Sequence, residues 1–198
     1  MAKNIYLILL LLSVFCSCKT KKLYNSGTVE FEKEIQQINI NYVQNLPLVH
    51  VTIQGKTYVF LLDTGAPTVI SPKIYEELNL NPYLKGKVTD SQNTSKRQIF
   101  TILPEMLVDA VRFQDIGCIV MDFSVKELEC LEINGIVGAN QMSKLFWQID
   151  YSNKKALVTR NINNFDIADF EIHIPFKPRP QKTPIIRTSV SGKNRLFN

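Results

Sequence analysis

The residue best placed to do chemistry in this sequence is a single carboxylate, Asp63, in the run VFLLDTGAPTVIS from Val59 to Ser71. That run is otherwise uncharged and β-favouring, so an acid inside it costs solvation unless its turn or its chemistry requires it. Thr64 places a hydroxyl beside the carboxylate, and Gly65 can take positive φ or let another backbone come close. One reading is general acid–base work by Asp63; the other is a turn aspartate that caps a strand end. Other candidates are poorer. His50 and His173 are the two histidines, neither with a cysteine or carboxylate cluster near it in sequence, so both read as ordinary strand residues and no metal site is expected. Cys118 and Cys130 then lack a base nearby, which argues against a nucleophilic triad. The net charge of +5 is spread along the chain with no basic stripe interleaved with aromatics, which argues against nucleic acid as a partner.

The elements that must hold Asp63 can be read from pattern. LVHVTI (Leu48 to Ile53) and Thr57 to Leu62 flank Gln54, Gly55 and Lys56 and predict a hairpin. After the Asp turn, Ser71 and Pro72 read as N-cap and first helical residue of a helix that ends near Leu78, with Tyr75 and Leu78 packing on one face. Lys85 to Lys96 is polar and leads into RQIFTIL. Pro104 to Phe123 predicts two or three short strands, broken at Asp109 and Ala110 and at Gln114 to Gly117. Phe146 to Asp150 and Lys155 to Thr159 predict a closing hairpin, with Trp147 in the core or at an interface.

Two motifs in this order resemble the aspartic peptidases of the retropepsin and pepsin kind. Their signature is a hydrophobic pair, Asp-Thr-Gly, then Ala or Ser, which Leu61, Leu62, Asp63, Thr64, Gly65 and Ala66 match in turn. Its second half, a hydrophobic pair and Gly, recurs as Ile136, Val137 and Gly138 in INGIVGAN. The resemblance covers roughly Leu46 to Arg160. It implies an all-β, acid-protease-type closed lobe, barrel-like, with one or two short helices. It also implies that Asp63 is catalytic, that Thr64, Gly65 and Ala66 hold it, and that Ile136, Val137 and Gly138 pass behind it, with a short helix starting near Asn140. No cofactor is implied. Two aspartates held close share a proton, so one Asp-Thr-Gly is half a site, and the mate comes from a second copy or a second lobe. The substrate implied is polypeptide bound as an added strand. Lys85 to Lys96 falls where the family has its flap, although it contains Gly86 alone among glycines; a plain solvated loop is the alternative. Pro67 stands where retroviral members carry an acidic residue that grips substrate, so substrate preference stays open.

Both ends of the chain carry further signals. IYLILLLLSVF, then Cys16, Ser17 and Cys18, looks like a bacterial lipoprotein signal over 1–18, with Cys18 a better lipidation candidate than Cys16. An ordinary secretory signal or an uncleaved anchor is the alternative. Residues 19–45 read as a tether that could end in an outer strand, and Lys19, Lys21 and Lys22 would lie beside lipid headgroups. In an exported chain Cys118 and Cys130 could be joined, or be two buried thiols. Residues 161–183 read as a linker. TPIIRTSVSGKNRLFN, from Thr183, aligns with LPLVHVTIQGKTYVFL, pairing Pro184 with Pro47, Gly192 with Gly55 and Phe197 with Phe60, so 184–198 reads as the start of a second lobe. The expectation is an exported, membrane-anchored aspartic endopeptidase; the rival is a membrane-tethered, peptidase-like binding module without catalysis.

Overall fold

The computed structural model describes residues 19–89, 94–123, 131–168, 170–191 and 193–197. Its strands are β1 (Thr28–Glu30), β2 (Ile35–Asn39), β3 (Asn41–Val43), β4 (Leu46–Ile53), β5 (Lys56–Asp63), β6 (Val69–Ile70), β7 (Pro82–Thr89) and β8 (Ser95–Val108). They continue with β9 (Val111–Val120), β10 (Ile133–Gly138), β11 (Phe146–Asp150), β12 (Lys155–Thr159), β13 (Lys177–Pro178), β14 (Pro184–Val190) and β15 (Lys193–Phe197). Two short helices, α1 (Pro72–Glu77) and α2 (Ala139–Met142), interrupt them, and residues 19–24 form a further helical turn.

Six strands close on themselves in the order β9, β6, β10, β5, β4, β8 and back to β9. This is the all-β, barrel-like lobe the sequence implied. Closure leaves few free edges and encloses a core of Phe60, Phe113, Leu103, Met106 and Val137, all essentially inaccessible. The β4–β5 hairpin turns on Gln54 and Gly55, both at positive φ, the mirror-image turn whose twist suits paired strands. Pro72 opens α1 and the Ser71 hydroxyl accepts from the Ile74 amide, as the sequence predicts. Trp147 packs against the core and donates its indole N–H to the Met142 carbonyl.

Two expectations need correction. Residues 19–45 are not a tether: β1 pairs with β9, β2 with β12 and β3 with β4, and Leu23 is 1% exposed. Their short, polar-flanked strands look like linker in sequence because Ile38 is the one residue of the three strands that is buried. The expected break at Gln114 to Gly117 is also absent. Strand β9 runs through it, pairing in unbroken register with β8. Gln114 to Gly117 look turn-like in residue type, and the strand accommodates them with Asp115 at φ 52, opposite Pro104, which has no amide to give the ladder. The β7–β8 pairing from Thr89↔Ser95 to Pro82↔Thr101 makes the polar stretch after α1 a hairpin rather than a loop; its tip lies outside the described residues.

Because Leu23 fills the core edge, Leu23→Ala is expected to cost about 2–5 kcal/mol in urea unfolding, as a buried leucine does, rather than the near-zero cost of a change in a tether.

Candidate functional site

The two motifs meet. Strands β5 and β10 run parallel, with Leu61 beside Ile136, Leu62 beside Val137 and Asp63 beside Gly138. Asp63 is thus the last residue of a central strand, half-buried at the point where the chain leaves the sheet. Its Oδ1 accepts from the Gly65 amide at 2.7 Å, and Thr64 is exposed. Returning through β6, the chain pairs with the other side of β10, Ile70 with Gly135 and Val69 with Ile136. Strand β10 therefore lies between the two arms of the Asp turn.

Glycine is required in that position. A Cβ on Gly138 would lie 2.2 Å from the Pro67 carbonyl carbon and 2.3 Å from the Thr68 nitrogen. A Cβ on Gly135 would lie 2.4 Å from the Phe60 ring and 2.5 Å from the Val69 oxygen. Contacts this short are with backbone or a locked core ring and cannot relax by rotamer change. Ile136 and Val137 are buried beside them.

Sequence reasoning passed over two residues here, Thr68 and Asn140. Both are buried, at 0% and 1% exposure. Asn140 Oδ1 accepts from the Thr68 amide at 2.7 Å and from its hydroxyl at 2.8 Å. The Thr68 hydroxyl in turn accepts from the Gly138 amide at 3.1 Å, and Asn140 Nδ2 donates to the Gly117 carbonyl at 2.8 Å. The Ala139 amide donates to the Ala66 carbonyl at 2.8 Å. The signal available was a carboxamide directly after the apolar run GIVGA, since a polar side chain placed there needs partners.

An apolar shelf runs from the turn to the β7–β8 hairpin. Leu61, Ala66, Leu84, Val88, Met121 and Phe123 are half-buried against Val69, Phe100, Ile119 and Ile136. Side chains of this kind accept apolar groups of an extended chain. The remaining candidates stay apart from it. Cys118 is a free thiol with no exposure, its pKa pushed up to about 12 by burial, so it is not a nucleophile. Cys130 lies outside the described residues, as do Cys16 and Cys18. His50 and His173 are both exposed. Among the described residues no group of histidine, cysteine and carboxylate side chains is arranged to hold a metal.

Residues 49–140, which contain the Asp turn and the strand behind it, match the family model described as aspartyl protease. This segment is similar to the aspartyl protease family. Among solved structures, a retropepsin-like aspartic protease from Rickettsia conorii is similar at 13% identity and a TM-score of 0.45, over 67% of this chain and 93% of that one. No curated protein matches the chain. In this lobe, Gly138→Ala is expected to destabilise by about 1–3 kcal/mol, the cost of overpacking a tight site. Amide exchange should show the loss of protection falling first at Thr68 and Ala139.

Proposed function

We propose that the lobe is an aspartic endopeptidase in which Asp63 is one of two carboxylates that activate water against a peptide bond. The observation that carries this reading is the registry of Asp63 with Gly138 across the parallel β5–β10 pair. It fixes an acid at the mouth of an apolar shelf, half-exposed and hence able to meet a second carboxylate and a substrate. With two such acids sharing one proton, the ionised one takes a proton from water as the water oxygen bonds to the peptide carbon. The protonated one donates to the carbonyl oxygen. Collapse of the tetrahedral species breaks the C–N bond and the amine leaves with a proton. Thr64 and Gly65 hold the carboxylate, Ala66 and the shelf border the substrate, and an extended polypeptide binds as an added strand.

The second aspartate comes from another copy of this fold, either a dimer partner or a second lobe. What supports the second lobe is the hairpin β14–β15. Val190 stands opposite Lys193 and Ser189 opposite Asn194, just as Ile53 stands opposite Lys56 and Thr52 opposite Thr57. Ser191 takes φ 52 in its turn, as Gln54 takes φ 47. Strand β13 pairs with β14 as β3 pairs with β4. The segment before β13 carries Phe170, Ile172, Ile174 and Phe176 exposed, whereas the strand before β3 buries Ile38. A second unit of the same design would cover those side chains.

Purified protein is expected to cleave unfolded polypeptide at mildly acid pH and to be blocked by a statine-type inhibitor. Asp63→Asn should lower kcat by at least about a hundredfold, the smaller end of what a positioned acid or base supplies. Full activity in that variant would exclude the mechanism. Absence of cleavage by every assembly state of the wild type would favour the membrane-tethered binding module instead.

The lobe is further proposed to be exported and lipid-anchored through Cys18, on the apolar run and the cysteine that follows it. With Leu23 buried in the lobe, an anchor at Cys18 would hold the domain close against the bilayer. Labelling with palmitate should vanish in Cys18→Ser and persist in Cys16→Ser; the reverse pattern moves the anchor to Cys16, and no labelling in the wild type removes it.

A further inference from the structure

We infer that Thr68 and Asn140 are positioning residues for Asp63, and that the N-terminal segment Leu23 to Gly27 backs them. The inference rests on the peptidase reading for its kinetic arm alone. The turn that carries Asp63 is pinned at both ends. Asp63 is fixed by its pairing with Gly138, and Thr68, five residues on, by two hydrogen bonds to one carboxamide oxygen. The Thr68 hydroxyl joins the two pins, because it donates to Asn140 and accepts from Gly138. Each group in this knot has a partner that only its own chemistry supplies. The amide of Asn140 must accept twice and donate once; aspartate would turn a carboxylate toward the Gly117 carbonyl, and alanine would leave Gly117 O and the Thr68 hydroxyl proton unpaired. Thr68 needs a hydroxyl that gives and receives at once.

Behind the knot lies the segment taken from sequence for a tether. The Leu23 carbonyl sits over Gly117, so closely that a Cβ there would meet its oxygen at 2.1 Å. Gly27, at φ 88, lies against the Gln114 carbonyl and the side chain of Gln141. These two contacts fall on Gly117, which accepts from Asn140, and on Gln141, its neighbour in α2. The N-terminal segment thus fixes the far side of the residues that fix the Asp turn. A catalytic carboxylate displaced by an ångström loses most of its effect, so this support bears on rate and not on folding alone.

The test compares Thr68→Val, which keeps shape and removes the hydroxyl, with Thr68→Ser, which keeps the hydroxyl. Thr68→Ser is expected to hold kcat within about twofold, and Thr68→Val to lower it by about 10- to 100-fold with KM little changed, on protein folded by circular dichroism. Carbon-13 titration of the Asp63 carboxyl should move in Thr68→Val and not in Thr68→Ser. Should the valine variant not fold, Thr68→Ala, smaller and free of clashes, is expected to show the same split. Wild-type kcat and an unmoved Asp63 titration in a folded Thr68→Val or Thr68→Ala variant would overturn the inference. If the wild type cleaves nothing, the peptidase reading fails, and the carboxyl titration still decides whether Thr68 positions Asp63.

Discussion

The constraint on which the rest of this structure depends is the passage of β10 between the two arms of the Asp turn, a passage only as wide as a glycine. Backbone meets backbone at Gly138, where a methyl group would stand 2.2 Å from the carbonyl carbon of Pro67. The close approach lets Asp63 pair in register with Gly138 and lets the Ala139 amide reach the Ala66 carbonyl. A parallel pair cannot be made by a hairpin, so β5 and β10 must be joined by a long excursion. Here that excursion is β6, α1 and the strands β7, β8 and β9, which wrap round and close the barrel. The Asp turn and the barrel closure are therefore parts of one topology.

Around that crossing the structure places hydrogen bonds where a hydrophobic core would otherwise sit. Thr68 and Asn140 are buried polar residues in a lobe whose interior is largely aliphatic and aromatic. Their cost is offset because every polar atom of the knot is paired, and a fully satisfied buried network specifies one geometry where apolar packing tolerates several. Elsewhere the polar contacts are of another kind. The Tyr58 hydroxyl and Lys56 both bond to Glu77, holding its carboxyl below the usual range. Since Glu77 is favoured in its charged form in the folded state, the pair stabilises above the ordinary glutamate pKa and weakens as acid protonates it. That network lies on the surface and ties α1 to β5.

Local chemistry made much of the lobe legible in the sequence. The hairpins at Leu48 to Leu62 and Phe146 to Thr159 show their alternation and turns, and the Ser71–Pro72 cap marks α1 without ambiguity. The motif halves at Asp63 and Gly138 could be read because together they resemble the two-part aspartic peptidase signature. What escaped is what depends on distant partners. Strands β1 and β2 are three and five residues long and take their stability from β9 and β12, both far along the chain. Strand β9 hides its continuity behind the turn-like residue types of Gln114 to Gly117. Asn140 is invisible as a support until Gly117 of β9 and Thr68, just before β6, are brought to it.

Whether Asp63 is one member of a proton-sharing pair is tested most directly by the pH dependence of kcat/KM on an unfolded polypeptide substrate. A coupled pair releases its protons in two separated steps, so the account predicts a bell with two apparent pKa values belonging to the pair. A single sigmoid rising toward neutral pH, with no fall on the alkaline side, would mean one lone base at work and would contradict it.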